Sequence, residues 1–344
     1  MPRLHVIDLE YLGQPGCIAA HVIETEEGLL LVECGPGSTI ETLRRGLADL
    51  GGSLADVRHL LVTHIHFDHA GAAGHVAEAG ATVHVHEFGA PHLVDPSRLV
   101  ASATRIYGDD MDRLWGELRP IPEDRVRPTR DGDVVELGGV RVRAIETPGH
   151  ARHHHAFATE LHGERICFTG DAAAAVCLEA PDFVSLPAPP PEFDPEAWLA
   201  SIARLRAEGF DAILPTHFGR LDDVDPHLAR VAEAVRAHAD RVKTWLDEGR
   251  DEGEIRAAYG RWFLEQADEH GLPEDKRAFY AKGSVVDMNV TGILRFWRKR
   301  ADAGGAGGTP SPSPPARDAA GANDAASATR PHPAATTPDR ARLR

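Results

Sequence analysis

The amino-acid sequence predicts a mixed α/β fold, on three observations. Short apolar runs alternate with helical patterns, several runs end at a histidine or aspartate, and the chain beyond Asp222 keeps helical apolar faces. From the N-terminus, Cys17 to Glu24 and Gly28 to Glu33 are apolar runs around the turn-like Glu26-Glu27-Gly28, the pattern of a hairpin. Ser38 and Glu41 have capping-box spacing, and Ile40, Leu43, Leu47 and Leu50 follow at helical intervals until Gly51-Gly52 stops the helix. Strands are expected at His59 to Thr63 and Ala81 to Glu87, a second hairpin over 132 to 147 around Gly138-Gly139, and further strands at Arg165 to Thr169 and Ala212 to Thr216. Residues 88 to 119 interrupt this succession with a helical or loop insertion. Leu228, Val231, Val235, Val242 and Trp245 share one helical face, and Val286, Val290, Ile293, Leu294 and Trp297 another. These patterns divide the chain into a main domain over 1–222, a helical C-terminal region over 223–303, and a tail over 304–344. That tail has too few large apolar side chains to offset its ordering entropy and is expected to be disordered.

Composition narrows the partners. Lys and Arg total 37 against 53 Asp and Glu, a net charge of -16 that repels nucleic acid and anionic lipid. The four cysteines form no CxxC pair and read as reduced thiols, and no apolar run has the length of a signal peptide or a membrane span, so a cytoplasmic protein is expected.

The chemistry concentrates in Thr63-His64-Ile65-His66-Phe67-Asp68-His69, where a strand gives way to a Gly/Ala-rich helix. Residues two apart in an extended segment point the same way, so His64 and His66 can grip one ion. Asp68 and His69 lie around the turn and face a second. Imidazole and carboxylate donors without thiolate suit zinc and its first-row neighbours, and leave positions open for water and substrate. Three later segments, Thr147-Pro148-Gly149-His150, Phe168-Thr169-Gly170-Asp171 and Leu214-Pro215-Thr216-His217, each offer one more donor at or just after a strand.

The order of these motifs resembles the metallo-beta-lactamase fold superfamily, in its binuclear hydrolase branch that includes hydroxyacylglutathione hydrolases, over roughly residues 4 to 222. The resemblance implies a four-layer αββα sandwich, here with a helical C-terminal extension. It implies two divalent ions, zinc being favoured: His64, His66 and His150 would bind the first, Asp68, His69 and His217 the second, and Asp171 both. It also implies hydrolysis of an ester-like bond in a small-molecule substrate, thioester or lactone, by a hydroxide bridging the ions and oriented by Asp68. Glu33 stands where the family usually has a supporting Asp. Within the same fold, a mononuclear iron persulfide dioxygenase would use only the first ion. A nuclease is disfavoured by the acidic balance, and a metal-binding module without turnover would not need seven donors.

Other residues carry weaker expectations. His84, His86 and His75 read as solvent-facing, one of the triplet His153-His154-His155, His154 in particular, as a brace for a ligand or a lining of the pocket, and Cys34 as a structural thiol. Arg105 or Tyr107, in the insertion, is expected to contact substrate. The proline-stiffened stretch Leu186 to Pro191 is either a wall of the site or a spacer.

Overall fold

Strands whose two faces are both apolar must be covered on both sides, and this requirement organises the molecule. In the computed structural model, which describes residues 1–177, 179–274, 276–277 and 284–305, the first sheet has the order β1-β2-β3-β4-β5-β6. Its strands are Arg3–Asp8 (β1), Ala19–Thr25 (β2), Gly28–Val32 (β3), Val57–Leu61 (β4), Thr82–His86 (β5) and Val126–Thr129 (β6). The second comprises Val134–Leu137 (β7), Val140–Glu146 (β8), His155–Leu161 (β9), Glu164–Gly170 (β10) and Ala212–Pro215 (β13), in the order β13-β10-β9-β8-β7. A short ribbon of Ala175–Cys177 (β11) and Ala180–Ser185 (β12) follows β10.

Leu30 and Val32 of β3 point inward to meet Phe157, Ile166 and Phe168 of the second sheet, while Leu29 and Leu31 point outward. The outward set packs on Leu43 and Leu47 of α1 (Ile40–Asp49) and Val76 of α3 (Ala73–Glu78), which follows α2 (Phe67–Ala70). On the far face of the second sheet, Ile145, Ala156 and Ile213 pack on Trp198, Ile202 and Leu205 of α7 (Pro195–Glu208) and on the helices beyond it. Helix, sheet, sheet and helix are thus stacked as the expected four layers. In β8 the alternation fixes the register: Val140, Val142 and Ala144 are buried, and Arg143 donates outward to Glu208 at 2.8 Å. A slip by one residue would bury two guanidinium groups.

The insertion folds as α4 (Ala90–Val94), α5 (Ser97–Tyr107) and α6 (Met111–Leu114). The C-terminal region is α8 (Val224–Asp247), α9 (Glu252–Glu269) and α10 (Ser284–Gly305), and its buried residues Val231, Tyr259 and Ile293 share one core with the second sheet. Residues 306–344, nearly all of the tail read as disordered, lie outside the described residues. Among the described residues no helix is long and apolar enough to cross a membrane.

Three sequence expectations need correction. The Ser38 capping box does not form: α1 starts at Ile40, and the Ser38 hydroxyl donates instead to Leu114 O (2.8 Å) of the insertion. His84 and His86 are buried, at 9% and 2% exposure, because they point away from Val83 and Val85 onto the face that the second sheet covers, His86 against Glu146 and His155. His75 is also buried, at 8%, since the segment after α6 passes over α3 and brings Glu117 O within 3.4 Å of its ring.

Candidate metal centre

Every donor the motifs single out emerges at the same end of the two sheets. β4 ends at Leu61, the chain stays extended through His66 (φ -64°, ψ 152°), and the short helix α2 then turns Asp68 and His69 away from His64 and His66. β8 and β10 deliver His150 and Asp171 on the loops that follow them, and β13 delivers His217.

Two groups of donors result. His64 Nε2, His66 Nδ1 and His150 Nε2 lie 2.8, 2.9 and 3.1 Å from one another. Three lone pairs avoid such convergence unless a cation sits among them, and tetrahedral zinc with Zn–N near 2.0 Å spaces its ligands about 3.3 Å apart. Asp68, His69 and His217 form the second group, with His217 Nε2 3.4 Å and His69 Nε2 3.8 Å from Asp68 Oδ2. Asp171 faces both: its Oδ2 lies 3.3 Å from His150 Nε2, and its Oδ1 3.2 and 3.5 Å from His69 and His217 Nε2. His69 Nε2 and Asp171 Oδ1 are nonetheless misaligned for a hydrogen bond, and both stay buried without a partner. Such orphaned groups are costly unless something else satisfies them. The donor set therefore fits two divalent cations.

The backs of the rings are held. His150 Nδ1–H donates to Pro187 O (2.9 Å) and His217 Nδ1–H to Cys17 O (2.8 Å), while His64 Nδ1 meets Thr63 Oγ1 at 3.1 Å. Glu33, at the end of β3 with φ +66°, accepts from Thr63 N–H (2.6 Å) and forms a very short pair with His69 Nδ1. Its longer side chain thus reaches the ligand directly. His154, the expected brace, accepts from the Asp171 N–H (3.2 Å) and donates to Thr147 Oγ1 (2.7 Å). Gly170 has to be glycine: its φ is +52°, and a Cβ there would sit 2.5 Å from Thr63 Oγ1 and 2.7 Å from His154 Nε2. Cys34 is sealed in, donating to His69 O at 3.2 Å with its thiol pushed well up by burial, as a structural thiol should be.

Sequence reasoning missed the carbonyls of Pro187 and Cys17 as holders, and a side chain that acts behind the first of them. Asn289 of α10, fully buried, accepts from Ala188 N–H (2.8 Å) and donates to Leu186 O (2.7 Å), on either side of the Pro187 carbonyl that holds His150. The stretch from Leu186 is therefore part of the site. No signal in the sequence links positions a hundred residues apart. A cavity of about 200 Å³ opens beside Asp68 and His217, lined among others by Tyr11, Trp115, Val176 and Leu186. Trp115 is the insertion's contribution. Tyr107 stands behind it with rings 5.3 Å apart, its phenol pushed up to about 12 by burial and the Asp68 charge, and Arg105 is exposed; neither lines the cavity.

Electrostatics separates the two groups. Burial, then the neighbouring imidazoles, hold His64 and His66 well below the ordinary range, and burial also lowers His150, so all three present neutral rings. Burial acts the same way on His69 and His217, but the carboxylates of Asp171 and Asp68, joined at His69 by Glu33, outweigh it and raise both. Cation uptake at the Asp68, His69 and His217 corner must then expel protons, so its affinity is expected to fall as pH drops from above the ordinary imidazole value of about 6.5 and on through it. Calorimetric titration of the apo-protein with zinc, in buffers of different ionisation enthalpy, reads this directly. A heat independent of buffer would refute it.

A family model described as the metallo-beta-lactamase superfamily matches residues 15–217. The chain belongs to the metallo-beta-lactamase superfamily. Among members of that superfamily, the protein is 27% identical over 205 residues to the metallo-beta-lactamase fold-containing protein ST1585 of Sulfurisphaera tokodaii, covering 58% of this chain and 72% of that one. It is 24% identical over 241 residues to an atrochrysone carboxyl ACP thioesterase of Aspergillus fumigatus, covering 70% of this chain and 47% of the other. The match thus spans about half the length of that thioesterase. The crystal structure of the metallo-beta-lactamase family protein TTHA1429 from Thermus thermophilus superimposes with a TM-score of 0.63 at 22% identity, covering 87% and 94% of the two chains. That likeness concerns the fold.

Proposed function

We propose that this protein is a binuclear, zinc-dependent hydrolase of thioesters, acting on a small acyl substrate in the cytoplasm. The observation that carries the reading is Asp171, whose two oxygens are divided between the two donor groups. Two divalent cations held there supply Lewis acidity and a water acidic enough to attack a carbonyl near neutral pH.

The chain's own residues do the rest. Asp68 is held ionised, since His69 and His217 overcome the effect of burial and keep its carboxyl well below the usual range. It can therefore accept a hydrogen bond from the attacking water and orient it. The Tyr11 phenol, raised by burial and then by the Asp68 charge, stays protonated and offers an O–H donor inside the cavity. Trp115, Val176 and Leu186 give the acyl group an apolar wall and exclude bulk water. Tyr107 acts, in this reading, through Trp115, against whose ring it packs. The net charge of -16 disfavours polyanionic partners.

Thioesters are preferred over lactones because relatives carry thioesterase names. A hydroxyacylglutathione-type thioester fits the same chemistry. The persulfide dioxygenase alternative uses one ion only, and the complete Asp68, His69 and His217 group argues against it. Assay of a panel of acyl thioesters, lactones and aryl esters, with and without chelator, tests the proposal. Chelator-sensitive turnover fastest on thioesters is expected; oxygen consumption with a persulfide and no hydrolysis would overturn it.

A further inference from the structure

The triplet His153-His154-His155 leads to a second cluster that the hydrolytic centre does not use. His86 closes β5, Glu146 closes β8 and His155 opens β9, and Glu146 and His155 are direct partners across the β8–β9 ladder. One donor atom of each of the three lies within 4.8 Å of the others. His86 Nε2 is 3.5 Å from Glu146 Oε1, and the two imidazole rings lie 4.5 Å apart at 38°. His155 is fully buried, and while its Nδ1 meets Thr129 Oγ1 at 3.3 Å, its Nε2 has no partner. A buried imidazole nitrogen left bare beside a second imidazole and a carboxylate calls for a ligand. The Glu146 side chain, 41% exposed, leaves the cluster open to solvent.

We infer that His86, Glu146 and His155 form a third cation site, for zinc or a neighbouring first-row divalent ion, separate from the two donor groups of the hydrolytic centre. Two imidazoles and one carboxylate with open positions are a donor set these metals accept. The Thr129 contact suits the role, because a ligating imidazole commonly donates its other N–H to an oxygen. Burial lowers both rings, so the site needs little deprotonation before binding. One contact opposes occupancy: the Phe88 N–H donates to His86 Nδ1 at 3.1 Å. Ligation through Nε2 moves the ring proton to Nδ1, and that contact is lost. The ion is therefore held more weakly than those of the main centre.

Its position gives it a purpose. Glu146 and His155 stand at the two ends of the loop that carries His150 and His154, and the His155 N–H donates to Thr63 O (2.7 Å), next to His64. A cation here ties the first sheet to the base of that loop and stiffens the mount of the first donor group.

Equilibrium dialysis of the full chain against excess zinc, with elemental analysis, tests the site. Wild type is expected to bind a third, weaker equivalent that dialysis into metal-free buffer removes first. His86→Ala and Glu146→Gln each lose that equivalent and keep the other two, and the exposed Glu146 position serves if His86→Ala fails to fold. Cobalt titration followed by visible absorption should show the third band lost in the same variants. A wild type saturating at two equivalents, or a third that persists in both variants, overturns the inference. A single equivalent that is lost in His86→Ala but kept in Asp171→Asn would support this site while removing the binuclear centre.

Discussion

Asp171→Asn is expected to lower kcat on a thioester by about 10³-fold or more, with KM changed far less. The substitution keeps the size and removes the charge from a side chain that faces both donor groups. Charge stabilisation by the bound ions is worth several kcal/mol, and about 4 kcal/mol corresponds to about 10³ in rate. Initial rates at saturating substrate, beside metal content of the same sample, check the expectation. A variant holding both metals and turning over within tenfold of wild type would mean that Asp171 does not link the two groups.

Glu33→Ala should come next in severity. Its carboxylate is 1% exposed and is bonded to the Thr63 N–H and His69 Nδ1, so removal leaves two buried donors unsatisfied. The expected loss is about 10–100-fold in metal affinity for the group containing His69. Stability should fall by about 3 kcal/mol. Competition with a chromophoric chelator reads the first quantity and denaturant unfolding of the apo-protein the second. Glu33→Asp should fall between the two, because the shorter arm can keep one of the contacts. Wild-type metal affinity in Glu33→Ala would show that His69 needs no holder.

How much of this was legible beforehand follows from distance along the chain. His64, His66, Asp68 and His69 are set by one strand-to-helix turn, so their grouping could be read from spacing, and the structure brings the same residues together. Strands with a plain apolar run, β3, or plain alternation, β5 and β8, were equally readable. β9 was not, because it opens on His155 and follows two further histidines, which masked its short apolar run. The start of α7 did carry a signal: Asp194 caps it by accepting from Glu196 and Ala197 N–H ahead of Pro195. The burial of His84 and His86 depended on the second sheet covering the face opposite Val83 and Val85, a long-range packing that alternation along β5 does not announce. The holders were illegible for a deeper reason. Pro187 and Cys17 act through backbone carbonyls, which any residue could supply, and Asn289 meets Ala188 only once the helical region has packed. Side-chain chemistry leaves a trace in the sequence, whereas backbone chemistry leaves almost none.

The most direct test of the central claim is the metal content of the purified protein after dialysis into metal-free buffer, measured by elemental analysis. Two zinc ions per chain, lost together with turnover on chelation and restored together on adding zinc back, is the predicted result. One iron per chain, or a chain that hydrolyses thioesters at full rate without metal, would contradict it.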